Sequence, residues 1–288
     1  MESWNLERLI PLVLESGRIG LSYFDYPEKE FKDDDSIVTL ADRAIEAFLT
    51  GHLDHPEAGS YLLGEETIAE KSEEYLAAAF RKTAWVIDPI DGTAPFSNNL
   101  PNWGVSVGYM HQGVLREGIV FLAAVGELYY TDNGMTWREK LGTDPAQWEA
   151  RRGHPSALAA PRGPDLPRGS MVAISQQLAR HGTYRLPFYV QVTGSSVWNM
   201  TRLAAGSYSS LVTRFRIWDF AACLPMLANL GWTMVFHGNG KPMGLTMDGS
   251  AILNVPGDPD RWSSLDHVVF APSPAAADFV RAHTAFDD

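Results

Sequence analysis

Apolar positions change their period several times along the chain, and each change marks an element. Leu6, Leu9, Ile10, Val13 and Leu14 recur at three- and four-residue intervals, which predicts an amphipathic helix that Gly17 and Gly20 interrupt. A second such face, Ala41, Ala44, Ile45, Phe48 and Leu49, follows Val38 and Thr39 and ends near Gly51, with a charged loop at 29–35 between the two. Residues 61–63 form a short apolar run before GEE and a Glu- and Ala-rich helix up to Phe80. Residues 84–87 read as a buried strand that stops at Asp88 and Pro89. From 103 to 130, three alternating runs separated at Gly113 and Gly126 predict an antiparallel meander.

The rhythm is lost over 134–168, where Pro155, Pro161, Pro164 and Pro167 gather, so the pattern predicts an exposed connection and a boundary. Beyond it, short apolar runs alternate with helical ones as far as a terminal helix around 275–283. The expected organisation is an α+β subdomain over 1–150 and an α/β subdomain over 168–288, the latter with its sheet covered on both faces.

Composition narrows the function. At 288 residues with 45% hydrophobic and 20% charged residues, the chain is an ordinary packed globule rather than a disordered or fibrous one. A net charge of -12 argues against wrapping nucleic acid through its phosphates. The single cysteine, Cys223, allows neither an intrachain disulfide nor a cysteine-rich zinc site, and reads as a small buried hydrophobe. No window approaches the roughly 20 apolar residues of a membrane span, and the N-terminal segment lacks the basic start and apolar block of a signal peptide. A cytoplasmic protein is expected, and the sequon at Asn199 is then fortuitous.

The strongest chemical signal is WVIDPIDGT, residues 85–93. A strand delivers Asp88 to its end, Pro89 fixes the bend, Asp91 lies three residues on, and Gly92 permits a tight turn. Two carboxylates on one turn suit Mg²⁺, which takes few protein carboxylates and keeps waters and substrate phosphate as its other ligands. Glu65 and Glu66 follow another apolar run, and Asp219 begins a helix. Singly, each has a plainer reading as a turn former, a helix-start charge or an N-cap. His52, His55 and the other histidines form no metal motif, HGNGKP at 237–242 is a turn rather than a P-loop, and Trp85 and Trp218 sit in apolar runs as core residues.

Together, GEE, DPIDGT 22 residues after Glu66, the GSS of Gly194, Ser195 and Ser196 before a helix, and the Trp218-Asp219 pair before Ala221 and Ala222 resemble the inositol monophosphatase family of Mg²⁺-dependent, lithium-sensitive phosphomonoesterases. The run from Lys32 through Val38 and Thr39 to Asp42 fits the same family. The resemblance implies a layered αβαβα fold, two or three Mg²⁺ ions, a homodimer and a small phosphate monoester as substrate. It implies that Glu65, Asp88, the Ile90 carbonyl and Thr93 surround a first ion, that Asp88, Asp91 and Asp219 hold a second, and that Glu65 and Glu66 serve a third through water. Glu65, Thr93 and Asp42 would be catalytic, with Thr93, oriented by Asp42, activating water for direct in-line attack. Asp91, Gly92, Thr93, Gly194, Ser195, Ser196 and Lys32 would meet the substrate, through helix-start amides and a loop over the site.

Three departures qualify the match. Ala94-Pro95-Phe96 follows DGT where relatives commonly have x-N-F, and Pro95 is expected to hold Ala94 extended. Pro225 is expected to kink or delay the helix after Asp219. Val212 stands where inositol-preferring relatives carry a glutamate, so myo-inositol monophosphate is not the expected substrate, and Arg214 or Arg216 would meet a second anionic group. Histidinol phosphate, adenosine 3′,5′-bisphosphate and fructose 1,6-bisphosphate are the alternatives. A silent phosphoester-binding member would show losses among the ligand positions, and none is lost.

Overall fold

A computed structural model describes residues 3–31, 37–161 and 163–286. Its larger sheet has seven strands in the order Ser60–Gly64, Thr83–Asp91, Gly104–His111, Val114–Leu122, Glu127–Asp132, Met135–Lys140 and Ser156–Ala157. The first pair is parallel and every later pair antiparallel, so the predicted meander is present. Strand alternation splits the apolar residues between two cores. Trp85, Ile87, Val107 and Phe121 face the helices Leu6–Phe24 and Leu40–Leu53. Ala84, Val86, Val120 and Leu122 face the helices Ser196–Ala204 and Cys223–Asn229.

Those inner helices also cover the second sheet. Its five strands run Tyr189–Gln191, Met171–Ile174, Ser210–Thr213, Val268–Ala271 and Thr233–Phe236. Its outer face packs Val172, Ile174, Val212 and Val269 against Leu178 of the helix Gln176–His181 and against Ala277 and Val280 of the helix Pro274–Ala282. Helix, sheet, helix, sheet, helix is the αβαβα layering expected. No helix among the described residues is long and apolar enough to cross a membrane.

Several local expectations fail for identifiable reasons. Gly17 and Gly20 do not interrupt the first helix, which runs unbroken over Leu6–Phe24. They are contact points: a Cβ on Gly17 would lie 2.5 Å from the Phe121 ring, and one on Gly20 2.8 Å from Trp103. The stretch after 134 is not an exposed connection along its whole length, because Met135–Lys140 and Ser156–Ala157 extend the sheet and Trp148 is fully buried, edge-on to Phe121. The turn that starts this hairpin is Asn133-Gly134, both at positive φ, the pairing a two-residue hairpin favours.

Two further expectations are refined. The 84–87 strand continues as Thr83–Asp91, and Pro89 is tolerated because the register shifts between Asp88 and Asp91. Pro225 delays rather than kinks: a short helical turn, Ile217–Phe220, precedes Cys223–Asn229, and Pro225 occupies the third position of the latter, where an amide has no partner inside the helix. Gly108 and Gly118 face each other across two strands and receive this segment. A Cβ on Gly118 would come within 2.0 Å of the Ala222 carbonyl oxygen, and one on Gly108 within 2.7 Å of Ala221. That close approach carries Asp219 to the end of the Thr83–Asp91 strand.

Candidate active site

The bulge at the end of Thr83–Asp91 turns Asp88 and Asp91 toward the incoming Ile217–Phe220 turn, and the carboxylates of Asp88, Asp91 and Asp219 lie within 4.8 Å of one another. Asp88 and Asp91 are almost fully buried. Backbone and hydroxyl donors hold two of the three. The Ser195 hydroxyl and the Val197 amide (3.1 Å) donate to Asp91 Oδ1, and the Arg216 amide donates to Asp219 Oδ2 at 2.8 Å. Among the described residues, Asp88 Oδ1 is buried without a hydrogen-bond partner.

Burial and mutual repulsion make this arrangement costly for bare carboxylates. Desolvation, then the charges of Glu65, Asp91 and Asp219, push Asp88 well above the usual carboxylate range. Desolvation and Asp219 raise Asp91 to about 8, against the lowering effect of Ser195 and Val197. Desolvation lifts Asp219 to about 6 despite the Arg216 amide. Three clustered oxygen donors, one of them an orphaned buried atom, form the donor set a hard divalent cation requires.

Gly92 turns the chain at φ 93°, and a Cβ there would meet the Asn102 carbonyl oxygen and the Ser195 Cβ, each at 2.8 Å. Only glycine allows the loop and the Ser195 turn to meet. The next four residues, Thr93–Phe96, form one helical turn, so Ala94 is helical rather than extended, and Pro95 again falls where no amide is needed. Thr93 Oγ1 donates to the Ile90 carbonyl at 3.0 Å and lies 3.4 Å from Asp42 Oδ1. Asp42 is locked by its own helix start, accepting from the Thr39 amide and hydroxyl at 2.8 and 2.6 Å. Burial nevertheless raises Asp42 to about 6.

Glu65 and Thr93 line a hollow of about 520 Å³ together with Gly194, Ser195 and Ser196, so these expected site residues share one cavity. Glu66 lines a neighbouring hollow with Arg216. Lys32 lies outside the described residues. The helix start at Ser195 differs from expectation in one respect: the Ser195 hydroxyl and the Val197 amide are given to Asp91, so the anion these two donors steady is a protein carboxylate.

The opposite wall of the hollow is Ser175, Gln176, Gln177, Arg180, Asn199, Thr213 and Arg214. Val212 is absent from it, its side chain being buried in the outer core. Arg216 faces the other hollow. Arg214 reaches this one but donates Nη2 to Asp260 at 3.0 Å and Nε to the Ser264 carbonyl at 3.4 Å. Sequence reasoning missed Arg180, an exposed residue on a short helix with no distinguishing pattern. It also missed Glu46, whose signal was legible: a charge beside Ile45 that, with Asp42 four residues earlier, interrupts an apolar helix face, buried here with its carboxyl raised by desolvation.

A layered αβαβα chain whose buried aspartates meet at the end of a sheet strand, beside a polar hollow, has the donor set and the space of a metal-assisted hydrolase. The particular family follows from comparison with known proteins: the family model described as the inositol monophosphatase family matches residues 9–263, and the chain is a member of that family. It is a phosphoric monoester hydrolase. A fructose-1,6-bisphosphatase/inositol-1-monophosphatase of Thermotoga maritima is 28% identical over 233 residues, 80% of each chain. Among solved structures, an inositol monophosphatase of the same organism superposes with a TM-score of 0.70 at 20% identity, over 96% of this chain and 97% of that one. An IMPase/NADP phosphatase complexed with Mg²⁺ and phosphate gives 0.67 at 17% identity, over 96% and 94%.

Proposed function

We propose that the protein is a Mg²⁺-dependent phosphatase that cleaves a small phosphorylated metabolite by direct attack of water. The observation that carries this is the convergence of Asp88, Asp91 and Asp219 with an unpartnered, buried oxygen on Asp88. Asp88, Asp91, Asp219, Glu65, the Ile90 carbonyl and Thr93 would hold two ions, and Glu66 a third through water; a related fold is known with Mg²⁺ and phosphate bound. Such ions supply positive charge to the phosphoryl oxygens and lower the pKa of a bound water.

The remaining roles belong to the chain. Thr93 Oγ1 accepts a hydrogen bond from the attacking water and, turning its own hydrogen from the Ile90 carbonyl to Asp42, passes the water's proton toward a carboxylate that burial has made more basic. Gly92 lets Thr93 approach, and Gly194 and Ser196 border the phosphate side of the hollow. Val212 is buried behind the far wall and supplies no acceptor for ring hydroxyls, whereas on that wall Arg180 has no hydrogen-bond or ion-pair partner among the described residues and Arg214 keeps Nη1 free of one. A substrate whose alcohol carries a second anionic group fits that wall better than inositol monophosphate. A lone buried cysteine fits the cytoplasm, and the family resemblance favours a homodimer.

Purified protein is expected to release inorganic phosphate with Mg²⁺ and to stop in EDTA, across a panel of sugar, inositol, amino-alcohol and nucleotide phosphates. Esters bearing a second anion should show the highest kcat/KM. Failure to release phosphate from every member with metal present overturns the catalytic reading; a best substrate lacking a second anion overturns the finer one.

A further inference from the structure

Glu46 is a carboxylate with no part in the chemistry described so far, yet it is 1% exposed on the Leu40–Leu53 helix, four residues after Asp42. That spacing puts the two acids on one helix face, both turned toward the sheet. Glu46 lies against the end of the Ser60–Gly64 strand, and its carboxylate fills the space a side chain at residue 64 would need. A Cβ on Gly64 would come within 2.4 Å of Glu46 Oε1 and 2.8 Å of Oε2. On the other side of Glu65, the Glu66 amide donates to Glu46 Oε2 at 2.9 Å. Among the described residues Oε1 is buried without a hydrogen bond of good geometry, and the Thr67 hydroxyl and amide are the further donors that favour the charged carboxylate. Glu46 thus touches residue 64 and binds residue 66, bracketing Glu65 through the backbone.

We propose that Glu46 is the positioning residue that fixes Glu65 at the mouth of the metal site, so that one helix aligns Thr93 through Asp42 and the GEE turn through Glu46. The proposal rests on the reading of Glu65 as a metal ligand. Buried groups behind a ligand set its direction, and their loss typically costs about 10- to 100-fold in metal affinity. A glutamine at 46 keeps an acceptor for the Glu66 amide and nearly the same shape. A methionine keeps the bulk and removes the acceptor.

The test compares Glu46→Gln and Glu46→Met in the full chain by three measurements: Mn²⁺ affinity without substrate by electron paramagnetic resonance, amide hydrogen exchange over 64–67, and the Mg²⁺ dependence of phosphate release. Glu46→Met is expected to weaken Mn²⁺ binding about tenfold or more and to speed exchange at Glu66, with Glu46→Gln staying within about threefold of wild type. A folded Glu46→Met protein with wild-type Mn²⁺ affinity and exchange overturns the proposal. So does a Glu46→Gln protein that loses as much as Glu46→Met, because charge and not the backbone grip would then be the cause. Should wild type bind no Mn²⁺, the metal reading fails on its own, and amide exchange alone still decides whether Glu46 holds the turn.

Discussion

The acid end of the hollow and its opposite wall obey different rules. At the acid end three carboxylates are fixed before any ligand arrives: Asp91 by the Ser195 hydroxyl and the Val197 amide, Asp219 by the Arg216 amide, Asp42 by Thr39. At the opposite wall Gln176, Gln177 and Arg180 are exposed on a six-residue helix, and among the described residues Arg180 is held by nothing. The first region spends folding energy on holding like charges together; the second costs little and leaves the Arg180 guanidinium without a hydrogen-bond or ion-pair partner among the described residues, although Gln177 meets His267 and Arg214 meets Asp260. On the proposed reading, chemistry that must be pre-organised is built into strand ends and helix starts, while selectivity would rest on exposed residues such as Arg180 that can change without disturbing the fold.

The sharpest way to break this comparison is at Asp88 in the acid end. Asp88→Asn keeps the shape and removes the charge, and phosphate release is expected to fall about 10³-fold or more. In EDTA the same variant should unfold at a temperature equal to or above that of wild type, because a repelling buried carboxylate has been neutralised. Activity near the wild-type level, or a large loss of stability in EDTA, would show that Asp88 is an ordinary structural carboxylate.

A second test reads the acid end through pH. Asp91 and Asp219 stand at about 8 and about 6 in the folded chain, above the ordinary value near 3.9 for an exposed aspartate. The folded state therefore binds protons more tightly than the unfolded one. The resulting stabilisation is complete below about pH 4 and is lost as pH rises through 6 and then 8. Mg²⁺ takes over the neutralising role, so the gap in Tm between Mg²⁺ and EDTA samples should widen by several degrees from pH 5 to pH 8. A gap independent of pH would mean that the cluster does not take up protons in the absence of metal.

The same contrast explains what the sequence showed and what it hid. Asp88, Asp91 and Asp219 were legible because each follows an apolar run that had to be buried, and the chain order of the motifs supplied the rest. The layered fold was legible for the same reason. Gly17 and Gly20 misled because a glycine that admits Phe121 or Trp103 looks, in one dimension, like a glycine that ends a helix. Met135–Lys140 was hidden because charged Arg138, Glu139 and Lys140 blunt its alternation, although Asn133-Gly134 marked the hairpin. The side on which Val212 lies was not legible: it is one residue from the hollow, and one residue along a strand is the other face. Arg180 carries no periodic signal at all, since nothing about an exposed side chain on a short helix constrains its neighbours in sequence.

The smallest expected effect is the one that sharpens the opposite wall. Arg180→Ala removes an exposed guanidinium that makes no hydrogen bond or ion pair among the described residues, so stability should be unchanged within measurement. An exposed charge pair contributes up to about 1 kcal/mol, which corresponds to about fivefold in binding. The variant should therefore raise KM about fivefold for a phosphate ester carrying a second anion, leave kcat alone, and leave KM unchanged for the matching ester that lacks the second anion. Steady-state kinetics on such a pair separate the cases: the loss must be confined to one substrate and to KM, because the second anion meets Arg180 equally in the ground state and in the transition state. An equal change for both esters would place Arg180 near the phosphate instead, and a fall in kcat would tie it to the acid end, erasing the division between the two regions.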